Sequence, residues 1–353
     1  MTERNESAAI DDLGWRGRLQ VPAQPGAALL LLLVLTIPGP RMCAQSCQTS
    51  GELDDATRSA LTVAGRRFFD LAVKGDTAAM GQNAIASLSS DLSAIESTVK
   101  DHQAELVGAQ VSPRFVFLLE VEGASALPHA EFYCGVFGKS GQTSGSAVLT
   151  LDNLAPGKYA VVILDAASTQ TRDNFSVILQ QAGADWKLAG LYLKPAQVTG
   201  HDSDWFAARA RDYKAKGQAH NAWFFYLQAR NLASPVPFMS TLTTDRLYDE
   251  FQSQQPADLP SEGKTADLLA GNTTYKLTAL FPAAVGNDLD LIVKYQAADV
   301  SNTTQTNQSN VSVIKALVAK YPEVRDAFSA MVARAVDANG HDFGTLLAMK
   351  DIK

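Results

Sequence analysis

A change of apolar period at Pro113 constrains this chain more than any other feature. Ahead of it, Ala60, Val63, Ala64, Phe68, Leu71 and Ala72 recur mostly three or four residues apart, which predicts an amphipathic helix over 55–73. Gly75-Asp76-Thr77 supplies a stop and then a cap for the next turn. Ile85, Leu88, Leu92, Ile95 and Val99 predict a second helix over 83–106. After Pro113, short stretches at 114–122, 131–137, 146–151, 158–165, 174–181 and 186–193 are rich in Val, Phe, Leu and Tyr and bounded by Gly, Pro or Asn. They read as strands, and Gln181-Ala182-Gly183-Ala184-Asp185 reads as a hairpin turn. The expected class is α+β, with N-terminal helices packed on a curved antiparallel sheet.

An apolar run at 27–37 stands behind Arg16 and Arg18 and ahead of Pro38, Gly39, Pro40 and Ala44. Positive flank, apolar centre, helix break and small residue make the layout of a secretory signal over 1–44, so export to the periplasm or beyond is expected. The run is too short to span a bilayer, which takes ~20 apolar residues. The membrane is therefore expected to be met only through this segment. Cleavage after Ala44 removes Arg4, Arg16, Arg18 and Arg41 together with Glu3, Glu6, Asp11 and Asp12, leaving 26 basic and 33 acidic residues and a net charge of −7. A mildly acidic chain without Lys/Arg clusters argues against nucleic acid as a partner.

Of the three cysteines, Cys43 leaves with the signal. Cys47 and Cys134 remain, in a compartment that permits a disulfide. Equally, Cys134 within Phe132-Tyr133-Cys134-Gly135-Val136-Phe137 reads as a buried thiol. Cys47 lacks the Leu-small-small context of a lipidated cysteine. No Cys-x-x-Cys or His-x-x-x-His spacing occurs, so no metal and no cofactor is expected.

The stretch Phe69-Asp70-Leu71-Ala72-Val73-Lys74-Gly75-Asp76, which breaks the first helix, and the closing Asp185-Trp186-Lys187-Leu188-Ala189-Gly190-Leu191-Tyr192-Leu193 resemble the nuclear transport factor two-like fold over 53–195. That resemblance implies a cone-shaped sheet with a pocket at its open end. Enzymes of that fold, the ketosteroid isomerases and polyketide cyclases, place an acid and a phenol there. Asp165, Tyr133 and Tyr159 are the residues here that match such a pair. The alternative is that Asp165 ends a strand and the tyrosines pack with their hydroxyls at the surface. Leu154-Ala155-Pro156-Gly157-Lys158-Tyr159 and the Gly/Ser-rich loop at 139–146 resemble instead the turns of an extracellular β-sandwich over 110–195.

Phe206, Tyr213, Gly217, Ala222, Tyr226, Ala229 and Pro235 lie close to the spacing of a tetratricopeptide repeat. One unit cannot make an array, which takes ~3 or more, so a helical hairpin packed on its neighbours is expected within 204–253, ending in a helix at 238–252. Pro256, Pro260 and Gly263 mark 254–263 as a linker. A small C-terminal α+β unit over 264–353 is expected, with strands at 274–281 and 289–296, a polar loop at 299–310 and a helix at 311–320. Asp337-Ala338-Asn339-Gly340 predicts a hairpin between 330–336 and 343–349.

His102, His129, His201, His220 and His341 are dispersed in polar contexts and read as surface residues. Gly-x-Ser-x-Gly, His-Glu-x-x-His and phosphate-loop patterns are absent from the sequence. The expectation is an exported, non-catalytic binding or scaffold protein of the cell envelope, holding another protein or a small apolar ligand. The alternative is an isomerase or cyclase using a pocket carboxylate.

Overall fold

The computed structural model describes residues 45–169 and 171–353, and the expected signal at 1–44 lies outside them. Strand β1 (Gln45–Thr49) leads into α1 (Asp55–Lys74), α2 (Thr77–Gln82), α3 (Ala86–Ser89) and α4 (Ser93–Leu106). Next come β2 (Gln110–Val121), β3 (Leu127–Gly135), β4 (Ser146–Leu154), β5 (Gly157–Ala167), β6 (Arg172–Ala182) and β7 (Asp185–Pro195). Helices α5 (Ser203–Ala215) and α6 (Ala219–Ala233), strand β8 (Met239–Thr241) and α7 (Leu242–Gln252) follow. The chain ends with β9 (Ala266–Ala270), β10 (Thr273–Val285), β11 (Asp288–Gln296), α8 (Thr303–Lys320), β12 (Ala330–Val336) and β13 (Asp342–Ala348). The class is α+β. Among the described residues, no helix is long and apolar enough to cross a membrane.

The first sheet has the order β1-β2-β5-β6-β7 and is antiparallel throughout. On its central strand β5, all six residues from Tyr159 to Leu164 are buried. Such a run, with no polar alternation, suits a strand covered on both faces. Ala160, Val162 and Leu164 share a core with Phe68 and Phe69 of α1 and Val99 of α4. Tyr159, Val161 and Ile163 share another with Phe132 and Leu149 of a second sheet, ordered β3-β4-β8. The layers are helix, sheet and sheet. A disulfide between Cys47 of β1 and Cys134 of β3 links the two sheets and leaves neither cysteine as a free thiol.

Several expectations are corrected by long-range pairing. The helix expected over 83–106 begins later and is broken into α3 and α4: 83–85 lies against β7, where Ile85 N–H donates to the Leu188 carbonyl (2.9 Å) and Leu188 N–H to that of Asn83 (2.9 Å), and at the break over 90–92 Asp91 accepts from Ser93 N–H (3.1 Å). The polar lead-in at 48–55 begins as part of β1, paired to β2 from Gln45↔Val121 to Thr49↔Phe117. Strand β2 runs through Pro113 instead of starting after it; the register shifts between Pro113 and Phe115, a bulge that accommodates the missing donor. Much of the polar loop expected at 299–310 is the first half of α8. Asn302 caps it by accepting from Gln305 N–H (3.1 Å), and Asn310 turns inward to accept from the Tyr295 hydroxyl (2.9 Å) and donate to Thr345 Oγ1 (3.0 Å).

The hairpin α5–α6 reverses at Gly217, whose φ of +74° lies in the left-handed region that glycine adopts without a side-chain clash. Phe206, Ala210, Ala222 and Ala229 are fully buried where the two helices meet. Helix α6 is apolar nearly all round, which fits its position inside the molecule. Phe224 and Phe225 pack against Phe328, and the hairpin shares one apolar core with a third sheet, ordered β13-β12-β11-β10-β9. The segments 204–253 and 264–353 therefore enclose a common interior.

Gly65 marks the closest approach of α1 to the first sheet. A β-carbon there would lie 2.6 Å from Cγ1 of Val162. Gly65→Ala is therefore expected to destabilise by about 1–3 kcal/mol through overpacking, although alanine gains roughly 1 kcal/mol of helix propensity over glycine. Combined with Val162→Ala it should cost less than the sum of the two single changes, since the clash is shared. Urea denaturation of the three variants checks this. An unchanged or raised midpoint for Gly65→Ala alone would contradict the close packing.

Candidate functional site

The residues singled out as an acid–phenol pair do not converge. Asp165 stands near the end of β5, six residues from Tyr159, which at ~3.3 Å per residue places them roughly 20 Å apart. Arg172 Nη2 contacts Asp165 Oδ2 at 2.9 Å and Arg114 Nη1 lies 4.0 Å from Oδ1, so the carboxylate is neutralised by two guanidinium groups. Tyr159 is buried and its hydroxyl donates to the Ala155 carbonyl (2.8 Å). This is a local tie across the turn 155–158. Tyr133 is 60% exposed and donates to Glu131 (2.9 Å).

Of the hairpin residues, Phe206, Tyr213, Ala222, Tyr226 and Ala229 are buried, and two of them carry polar ends. Tyr226 is buried and donates to Glu250 Oε2 (2.9 Å), while burial and that carboxylate push its phenol up to about 12. Tyr213 donates to the Asp326 carbonyl (3.0 Å), and burial raises its phenol too. The reading of all five histidines as plain surface residues is revised for two. His220, in the first turn of α6, is held between Glu323 (2.6 Å) and Asp258 (3.1 Å). His201 stacks flat on Trp205, with ring centroids 3.7 Å apart and planes 9° from parallel.

That stack forms one wall of a cleft of about 340 Å³ between α5 and the third sheet. The turn at 198–201 places His201: Thr199 and Gly200 both adopt positive φ, +50° and +78°, and Val198 and His201 exchange backbone hydrogen bonds. Asp202 caps α5 by accepting from Trp205 N–H (3.0 Å), fixing the indole at the first turn, where it is 37% exposed. Arg209 lies one turn on, with its guanidinium 5.7 Å from the Tyr213 ring centre. The opposite wall is the β10–β11 turn, with Asn287, Asp288 and Leu289, together with Asp326 and Ala327 beyond α8. Asp326 accepts from Gln218 (2.6 Å) and is thereby held at the rim. A stacked aromatic plate, one guanidinium and two carboxylates can bind a ring-bearing polar molecule.

A second cleft, of about 310 Å³, lies along the solvent face of α1 between Val63, Arg66, Arg67, Asp70, Leu71 and Lys74. It is formed by one helix alone. No protein-family model, curated protein or solved structure matches this chain. Sequence reasoning missed Trp205, Arg209, Asn287, Asp288 and Asp326. The nearest signal was Asp202 three residues before Trp205, the cap of a helix whose first turn carries an aromatic side chain.

Among the described residues, the carboxyl group pushed furthest upward is that of Asp173, on the helix-facing side of β6. It is 6% exposed, and burial, with the nearby Glu105 charge second, pushes it up to about 6 from its ordinary 3.8. A folded-state value above the unfolded one means that the folded chain binds this proton more tightly. The stabilising contribution is therefore complete below about pH 4 and is lost as pH rises through about 6. The displacement corresponds to ~3 kcal/mol at most. Asp173→Asn, which keeps the shape without the charge, should be more stable than the parent at pH 7.5 by about 1–3 kcal/mol. The difference should vanish near pH 4. Thermal melts across pH 4–8 check this, and a difference independent of pH would contradict it.

Proposed function

We propose that this chain is an exported, non-catalytic binding protein, and that the cleft between α5 and the third sheet holds a small, ring-bearing polar molecule of about saccharide size. The observation that carries the reading is the His201–Trp205 stack at the cleft wall, with Arg209, Asp288 and Asp326 at the rim. A partly exposed indole braced by a second ring offers a flat apolar face at little conformational cost. The flanking charged and amide groups fix orientation. The cleft volume lies at the lower end of the ~300–1,000 Å³ typical of small-molecule sites. A wholly apolar ligand would leave Asp288 and Asp326 without polar partners on it, so the polar class is favoured.

Export is supported by the apolar run at 27–37 and agrees with the Cys47–Cys134 disulfide, which persists in oxidising compartments. The resemblance of 53–195 to nuclear transport factor two-like domains stays an architectural proposal, in keeping with helices laid on an antiparallel sheet. The isomerase or cyclase alternative loses its support where Asp165 is neutralised and Tyr133 and Tyr159 point to separate surroundings.

Tryptophan fluorescence titrated with a panel of soluble saccharides tests the reading. Binders should quench or shift the emission of the full chain. Trp205→Ala should weaken them about tenfold or more, as expected of a central aromatic anchor, while Trp186→Phe leaves them unaffected. Ligands that bind equally well to Trp205→Ala would place the site elsewhere.

A further inference from the structure

Away from the cleft, on the first sheet, polar side chains line up in one row. Register pairs Asp165 of β5 with Asn174 of β6, and Asn174 with Lys194 of β7. Side chains directly opposite one another share a face. Ser176, two residues along β6, adds to the same face opposite Ile163 and Tyr192. Arg114 reaches in from the bulge in β2 and donates to Asn174 Oδ1 (2.7 Å), and Arg172 holds Asp165. On the far side Lys194 Nζ donates to the Ser234 carbonyl at the end of α6 (2.8 Å). Arg230, on the last turn of that helix, is close enough for its charge to bear on Lys194.

Two imbalances stand out. Three cations, Arg114, Arg172 and Lys194, stand along this row with one carboxylate, Asp165, in a chain whose net charge is −7. Asp165 answers Arg172 and lies near Arg114. Among the described residues, no carboxylate lies within 4 Å of Lys194 or Arg230. Arg230 rests instead over the rings of Tyr248 and Phe251, at 4.9 and 5.4 Å from their centres. The other imbalance is in hydrogen bonding. Asn174 is 0% exposed and Ser176 1% exposed, yet Asn174 Nδ2 and Ser176 Oγ have no partner. Because Arg114 donates to Asn174 Oδ1, the amide is oriented and its N–H groups are the ones left over. Buried polar groups are nearly always satisfied, so these orphans point to a partner from outside the chain, a water or an anion.

We propose that this row is a binding site for one oxyanion, a carboxylate or phosphate group, gripped by Lys194, Asn174 Nδ2 and Ser176 Oγ. One of the three ammonium donors of Lys194 is spent on the end of α6, where the helix dipole favours a cation. That role accounts for Lys194 alone. It leaves its other two donors and both buried orphan groups, Asn174 Nδ2 and Ser176 Oγ, unexplained, and a bound oxyanion satisfies all of them together. Asp165 tunes the site: its Oδ1, also without a hydrogen-bond partner, opposes an incoming anion in part and keeps Arg172 turned aside.

The test is isothermal titration of the full chain with inorganic phosphate and, separately, with acetate, at an ionic strength fixed with chloride. Thermal melts are run in parallel. Saturable binding of at least one anion, with a rise in melting temperature that chloride does not give, is expected, and the anion that saturates identifies the class. Lys194→Met should weaken binding about tenfold, the worth of one charge-assisted hydrogen bond. Ser176→Ala, a milder change that keeps the fold even if Lys194→Met does not, should weaken it severalfold, and Asp165→Asn should tighten it. If neither anion saturates, or if Ser176→Ala and Lys194→Met both bind as the parent does, water fills the row and the proposal is overturned.

Discussion

Burial of β5 on both faces is the constraint on which the first half of the molecule depends. A strand with six consecutive buried side chains must have a layer above and a layer below. The chain supplies helices α1 and α4 to one side and the second sheet to the other. Gly65 lets α1 come close enough to cover Val162. Cys47 and Cys134 tie the edge strand β1 to the second sheet across 87 residues of sequence, and closing a loop of that length restricts the unfolded chain by about 4–5 kcal/mol on the chain-entropy account. With both faces filled, Tyr159 is buried in packed interior, whereas Tyr133, on β3 of the second sheet, is exposed. Polar chemistry is left to the strand ends, where Asp165, Asn174 and Lys194 stand.

Helix α6 plays the corresponding part in the second half. It is buried between α5, α7 and the third sheet, and its ends are tied by polar contacts: His220 to Glu323 and Asp258 at one end, Ser234 to Lys194 at the other. The same helix thus reaches both candidate sites. Phe225 lines the cleft at one side, and the Ser234 carbonyl at the end of the helix accepts from Lys194 of the basic row at the other. This is why the helical hairpin is here an internal strut.

Features with short-range causes were legible in the sequence. The Asp55–Lys74 helix, the Gly183 turn, the Gly217 reversal and the Asn339-Gly340 hairpin each follow from a local period or a backbone angle. What was not legible depends on partners far along the chain. The extended stretch before α3 requires Leu188 to pair with 83–85, and the polar start of α8 requires Tyr295 and Thr345 to meet Asn310. The cleft gathers Trp205, Asn287 and Asp326 from three segments that share no pattern. Asp165 was noticed as a candidate acid, but its neighbours in the row follow only from strand register, including the irregularity between Ile178 and Leu179 that sets which residue of β7 faces Asn174.

Native-state hydrogen exchange measures the doubly covered strand most directly. If β5 is the centre on which both layers rest, the amides of residues 160–164 should exchange only through global unfolding, with free energies equal to that from denaturant melts and well above those of the edge strands β9 and β13. Exchange of residues 160–164 through local openings, at free energies no higher than those of β9 or β13, would contradict this account.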